Sequence, residues 1–374
     1  MPSGRALAVI AAGGTGGHLF PAQAVSEALI QRGWRIVLAT DPRARKLTSE
    51  FPAERQLVIA SATLAGGPAA RARQVLTLLR GFVQARLALA SLKPDVVVGF
   101  GGYPSAPTLL AARSLGLKTV IHEQNAVMGR ANRLLAPGVT VVASAFPTLM
   151  KAPAKVRDRA VVVGNPVRPA IRALATAAYA PPDPGGPLHL FITGGSQGAR
   201  VLSEMAPAAV AAMPAPMRAR LRVVQQTRPE AMETAARQYR DAAVDAELSP
   251  FFADMDRRWL WAHLVIARSG ASTVGEIAVA GRPAILVPLG IALDDDQGQN
   301  ARLLAEAGAA VVAPEASLTA GGLADVMANL LGDGERLARM AAAARAVAIP
   351  DAAERLADLI MQTAGRLPAA APTG

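Results

Sequence analysis

Two doubly wound α/β domains facing one another across a cleft are the fold that this 374-residue sequence predicts. Three observations point there. A glycine cluster, Gly13-Gly14-Thr15-Gly16-Gly17-His18, follows the apolar run Leu7–Ala11 and precedes a helical pattern. A related cluster, Gly194-Gly195-Ser196-Gln197-Gly198, follows Leu188–Thr193 about 180 residues later. Short Val/Ile/Leu runs alternate with helix-length patterns throughout, which is how a parallel sheet covered on both faces reads. The length suits two domains with separate cores, and 52% hydrophobic against 18% charged residues excludes a disordered chain.

In order, the first half predicts strands at Leu7–Ala11, Arg35–Ala39, Gln56–Ala60, Asp95–Gly99, Thr119–His122, Thr140–Ala143 and Ala160–Val163. Helical patterns at Ala22–Gln31 and Arg71–Ser91 separate some of them. Gly164-Asn-Pro-Val-Arg-Pro169 breaks this alternation and is the expected crossing and hinge, with domain one at 1–163 and domain two at 164–351. The second half predicts strands at Leu188–Thr193, Arg222–Gln226, Leu248–Phe252, Leu264–Ala267, Ala284–Pro288 and Ala310–Ala313. A helix at about 352–366 lies beyond Pro350 and is expected to pack back on the first domain, leaving 367–374 as a frayed tail.

The chain has no cysteine, which excludes disulfides, thiolate catalysis and cysteine-ligated metals. Its four histidines, at 18, 122, 189 and 263, lack the spacing of a zinc site. Neither a metal nor an organic cofactor is expected. The net charge of +11 is lopsided: residues 1–163 carry 20 Lys/Arg against 7 Asp/Glu, and residues 164–374 carry 19 against 21. A basic first half suits anionic lipid, nucleic acid or a polyphosphate. Aromatics at 4% leave few base-stacking platforms, so nucleic acid is not an expected partner. No uninterrupted apolar run reaches membrane-span length. The seven-residue run Ala6–Ala12 enters the glycine loop directly, so it reads as a strand and not as a signal-peptide core. Cytoplasmic residence follows as the expectation.

Ligands of open α/β sheets sit beyond the carboxyl ends of the strands, where glycine lets backbone N–H groups approach an anion. Four loops qualify: 13–18, 99–105, 194–199 and 269–276. The first is neither a Walker A sequence nor a full dinucleotide fingerprint, since Leu19 stands at the third glycine. Asp41 at the end of the second strand keeps a dinucleotide reading open. Ser196 reads as an N-cap or as a phosphate donor, and Glu276 as a dipole partner or as a ribose ligand. Asp294-Asp295-Asp296 reads as a solvated loop or as a metal motif. His18 reads as a general base, as a phosphate ligand or as a loop anchor.

Seven motifs occur in order: Gly-Gly-Thr-Gly-Gly-His (13–18), Gly-Gly-Tyr-Pro-Ser (101–105), His-Glu-Gln-Asn (122–125), Gly-Asn-Pro-Val-Arg (164–168), Gly-Gly-Ser-Gln-Gly-Ala (194–199), Arg-Ser-Gly-Ala-Ser-Thr (268–273), and an acidic run leading to Gln297 and Asn300. From residue 7 to about 348 the chain resembles the MurG family of peptidoglycan glycosyltransferases. The resemblance implies a GT-B fold and inverting, metal-independent transfer of N-acetylglucosamine from UDP-N-acetylglucosamine to lipid I. It implies donor contacts at Thr15, Gly16, Gly17, Asn125, Arg168, Ser196, Gln197, the backbone of Phe252, Ala271, Ser272, Thr273, Val274, Gly275, Glu276 and Gln297. Phe252 and Gly275 depart from the residues common in the family. His18 is the candidate base, with Glu123 second, and Gly14, Tyr103 and Ser105 face the acceptor. The lipid acceptor implies peripheral work at the cytoplasmic face of an anionic membrane. Within 71–93 the stripe Val75, Leu76, Leu79, Phe82, Val83 and Leu87 is flanked by Arg71, Arg73, Arg80, Arg86 and Lys93. That segment reads either as a sheet-covering helix or as a docking face. Other sugar-nucleotide transfer, dinucleotide-dependent oxidoreduction and non-catalytic nucleotide-sugar binding remain the alternatives.

Overall fold

A computed structural model describes residues 5–13, 16–42, 51–62, 67–102, 105–195, 198–290 and 294–366. The chain divides into two compact units, one of residues 1–168 with 351–374 and one of residues 169–350. Gly164–Arg168 therefore stay with the first unit, whereas the sequence alone places them at the start of the second.

The first unit holds a seven-stranded, all-parallel sheet: β1 Leu7–Ala11, β2 Arg35–Thr40, β3 Arg55–Val58, β4 Val96–Gly99, β5 Thr119–Glu123, β6 Val141–Ser144 and β7 Val161–Val162. Their spatial order is β3-β2-β1-β4-β5-β6-β7, so the direction of winding reverses between β1 and β4. β1 is buried on both faces and alternates between two cores. Ala8 and Ile10 pack toward Leu356, Ile360 and Met361 of the helix Ala352–Thr363 and toward Leu29 of α1, Gly16–Gln31. Leu7, Val9 and Ala11 pack toward Ala85 and Leu89 of α2, Pro68–Leu92, and toward Leu109 of α3, Ser105–Ser114. Burying each large apolar side chain in such a core is worth about 1.5–3 kcal/mol. Arg366 extends this anchorage, donating to Asp95 Oδ1 at 2.9 Å while Asp95 Oδ2 accepts from Leu7 N at 2.8 Å.

α2 has a narrow buried edge and an exposed apolar stripe. Gly81, Ala85 and Leu89 are its buried residues, and Gly81 lies so close to the segment after β3 that a Cβ there would meet Ala60 O. Val75, Leu76, Leu79, Val83 and Leu87 are exposed, between 46% and 68% each. By length and composition alone α2 is apolar enough to cross a bilayer, although Arg80 and Arg86 interrupt its apolar run. Gln84 Oε1 nevertheless accepts from Ala60 N at 3.0 Å, and the helix packs on α3 as a layer of the unit.

The second unit holds six parallel strands: β8 Leu188–Thr193, β9 Leu221–Gln226, β10 Asp245–Ser249, β11 Leu264–Ala267, β12 Ala284–Leu286 and β13 Ala310–Val312. Their order, β10-β9-β8-β11-β12-β13, puts the reversal between β8 and β11. β10 starts three residues before its predicted position and ends before Pro250, which has no N–H for a ladder. As an edge strand with exposed Asp245 and Glu247, it lacks the apolar run by which the other strands are recognised.

Candidate active site

At the reversal point of the first sheet, the loops after β1, β4 and β5 converge. α1 begins at Gly16, six residues earlier than predicted, so Gly16, Gly17 and His18 form its first turn instead of a loop. A Cβ on Gly16 would lie 2.9 Å from the Phe20 ring, and the Arg168 guanidinium sits 5.2 Å over that same ring. Arg168, expected among the donor residues, is thus placed beside the glycine turn of the first unit. Gly14, Thr15 and Tyr103 lie outside the described residues.

His18 is half-buried and its Nδ1 lies 2.8 Å from Gln124 Oε1. Gln124 follows β5 and donates from Nε2 to Phe100 O at 3.1 Å. Its neighbour Glu123, 2% exposed, takes three N–H donors: Asn125 N at 3.0 Å, Gly129 N at 2.9 Å and Asn132 Nδ2 at 2.8 Å. A carboxylate enclosed in this way ties residues 125–132 to the end of β5. That corrects its reading as the second candidate base. Asn125 is half-buried next to it. Ser105 is also corrected: it is fully buried, and its hydroxyl faces Ala11 O at 2.8 Å and Gly101 O at 2.7 Å, which pins the loop after β4 to the end of β1. It does not line a groove.

His122 is fully buried, and its Nε2–H donates to Gly164 O at 3.0 Å. Burial pushes its pKa down to about 4, against the opposing pull of that hydrogen bond. The unfolded chain takes up this proton near 6.5 and the folded one only near 4, so the stabilising contribution is complete above 6.5 and is lost as pH falls through that window. Melting temperature is expected to fall on acidification from pH 6.5 to 4, and His122→Gln to flatten that slope in calorimetry. An identical slope in the variant would assign the effect to other groups.

In the second unit the glycine loop after β8 and the helix Ala271–Ala280 after β11 meet at the reversal point. Gly195 (φ +79°) lies so that a Cβ would be 3.9 Å from Thr273 Oγ1, and a Cβ on Gly194 would collide with Ala199 N at 2.1 Å. Only glycine lets this backbone fold so tightly. Ser196 and Gln197 lie outside the described residues. The loop is braced by Gln226, which the sequence reading missed. Its Oε1 accepts from Thr193 Oγ1 and Gly194 N, both at 3.0 Å. Its Nε2 donates to Gly195 O at 3.0 Å and Pro250 O at 3.2 Å. Only its position at the carboxyl end of a strand hinted at this.

The helix starts at Ala271 after Gly270, which puts Glu276 in the second turn and not the first. Dipole complementation, confined to the first turn, no longer explains it. Glu276 instead accepts from Trp259 Nε1 at 3.1 Å, and Trp259 is fully buried with its ring edge-on to Phe191. Ala271 and Val274 turn into the core, while Ser272, Thr273 and Gly275 are half-buried. The Phe252 ring is buried between Phe191 and the Arg258 guanidinium, so at this position only backbone remains for a ligand. Gln297 Oε1 accepts from Leu289 N at 3.1 Å, which leaves its NH2 group as the part able to bind a hydroxyl. Asp295 takes a left-handed conformation (φ +53°) ahead of the helix Asp296–Glu306, and its Oδ2 accepts from Gln299 at 2.9 Å. Asn300, fully buried, ties that helix to Ser269 O at 3.2 Å. Arg268 donates to Val287 O at 3.1 Å and pairs with Glu315 at 2.7 Å, so the neighbouring loop is anchored as well.

Comparison with known proteins adds an independent line. The model described as Glycosyltransferase family 28 N-terminal domain matches residues 8–144, and that described as Glycosyltransferase family 28 C-terminal domain matches residues 189–356. A UDP-N-acetylglucosamine--N-acetylmuramyl-(pentapeptide) pyrophosphoryl-undecaprenol N-acetylglucosamine transferase of Phenylobacterium zucineum is 63% identical over 361 residues, covering 96% of this chain and 99% of that one. The protein of the same name from Caulobacter vibrioides is 55% identical over 96% of this chain and 99% of its own. Among solved structures, Acinetobacter baumannii MurG matches with a TM-score of 0.77 at 33% identity, over 96% of this chain and 99% of that one.

Proposed function

We propose, from the premise that this chain belongs to glycosyltransferase family 28, that it transfers N-acetylglucosamine from UDP-N-acetylglucosamine to lipid I and so forms lipid II. The observation that carries this reading is the full-length identity to enzymes bearing that activity in their name. The fold is GT-B, with two parallel-sheet α/β units. The experiment is direct: UDP release from UDP-N-acetylglucosamine is measured with and without a lipid I analogue. Release only with the acceptor is the expected result. Donor binding without turnover, or NAD(P) binding, would reject the proposal.

The second unit supplies what a nucleoside diphosphate needs. The start of the helix Ala271–Ala280 presents its positive dipole end to the diphosphate, whose charge grows as the sugar–phosphate bond breaks. Glu276 is a fixed acceptor for the ribose hydroxyls, and Gln297 offers donors to sugar hydroxyls. In the first unit His18 takes the proton of the muramoyl C4 hydroxyl. Its oxygen then bonds to the anomeric carbon on the face opposite the departing UDP, and the configuration inverts.

Membrane docking belongs to the same proposal. The exposed stripe of α2 and the excess of basic residues in the first half support peripheral binding to anionic lipid at the cytoplasmic face of the membrane. Changing Arg73, Arg80 and Arg86 together to Glu is expected to weaken binding to vesicles with anionic lipid about a hundredfold or more, at about 1 kcal/mol per basic side chain. Unchanged co-sedimentation with such vesicles would discard this face.

A further inference from the structure

We propose that Gln124 sets the tautomer of His18 and is therefore a positioning residue for proton acceptance. The inference rests on His18 being the proton acceptor in the reaction proposed above. The elementary chemistry of three atoms leads to it. A backbone carbonyl can only accept, so the Gln124 atom 3.1 Å from Phe100 O is the amide nitrogen. The other amide atom, 2.8 Å from His18 Nδ1, is then the oxygen, which can also only accept. Nδ1 must carry the proton, and a neutral imidazole protonated there presents Nε2 as a bare lone pair.

The surroundings make this assignment stiff. Gln124 is 4% exposed and Phe100 is fully buried. Turning the amide over would set its oxygen against Phe100 O, whichever tautomer the ring took, leaving buried groups unpaired. Gly101, held at φ +84°, lies toward the same edge of the ring. A Cβ on it would stand 3.5 Å from His18 Cε1 and 3.6 Å from Nδ1. The Nδ1–Cε1 edge of the imidazole thus faces the Gln124 amide and the side-chain-free position of Gly101. The choice of amide matters too. A carboxylate in the same place would draw the ring toward its protonated form, whereas glutamine orders it without adding charge.

The test starts with the unmodified protein. Long-range 1H–15N correlation spectra resolve the tautomer of each histidine, and only four occur in the chain, so a His18→Gln variant assigns the signal. His18 protonated on Nδ1 is the expected result, and protonation on Nε2 overturns the proposal. Gln124→Leu, close in volume but without an acceptor, is expected to lower kcat with a lipid I analogue by about tenfold to a hundredfold. The KM for UDP-N-acetylglucosamine should stay within about twofold, because Gln124 is not a donor ligand. Gln124→Glu keeps an acceptor for Nδ1–H but adds charge, so it is expected to move the acidic limb of the kcat–pH profile to higher pH, and an unmoved limb would count against the proposal. A Gln124→Leu enzyme with undiminished kcat would also overturn the proposal. If Gln124→Leu does not fold, the spectra of the unmodified chain still decide. The underlying reading fails separately: normal turnover by His18→Ala removes the base and leaves the tautomer measurement intact.

Discussion

Replacing Glu276 with glutamine is expected to raise the KM for UDP-N-acetylglucosamine by about a hundredfold. A carboxylate accepts both hydroxyls of a ribose, and each charge-assisted hydrogen bond contributes about 1.5–3 kcal/mol. Two such bonds correspond to at least two decades of affinity. Glutamine separates this from a folding effect. Its side-chain oxygen still accepts from Trp259 Nε1, now 3.1 Å from the Glu276 carboxylate, so the buried indole keeps a partner. Alanine would strip that partner and cost about 1–3 kcal/mol of stability in addition. Calorimetric titration with UDP alone checks the claim. Equal UDP affinity in wild type and Glu276→Gln would show that this side chain does not read the ribose.

His18→Ala is expected to lower kcat by about 10²–10⁴ at saturating donor and acceptor, the range of a lost general base. Donor affinity should change little, since the contacts proposed for the nucleotide lie in the second unit. The rate of UDP release with a lipid I analogue is the measurement. Near-normal turnover would leave His18 as an anchor of the first turn of α1 and nothing more.

The parts of the site legible in the sequence were those written in local patterns. Gly13–Gly17 and Gly194–Gly198 after apolar runs marked the carboxyl ends of β1 and β8, the strands beside which the winding reverses. The start of α1 was misplaced because glycine has poor helix propensity, while packing of Gly16 against Phe20 overrides it. What stayed hidden depends on distance along the chain. Gln124 is 106 residues from His18, and Gln226 is 31 to 33 residues from the loop that it braces. Buried amides carry no periodicity by which they can be recognised. Glu123 and Ser105 looked functional because carboxylates and hydroxyls near a glycine loop usually are. Here their hydrogen bonds are spent on holding the loops that carry the chemistry.

The return of the helix Ala352–Thr363 to the first sheet has a practical corollary for anyone dissecting the molecule. The backbone passes from one unit to the other twice, after Arg168 and again after Pro350, so no single cut liberates either half intact. A fragment ending at residue 168 would leave Ala8, Ile10 and Val98 without the Leu356, Ile360 and Met361 side chains that cover them. Such a piece is expected to precipitate on expression, whereas a version with residues 351–366 grafted after 168 through a glycine–serine tether should remain in solution.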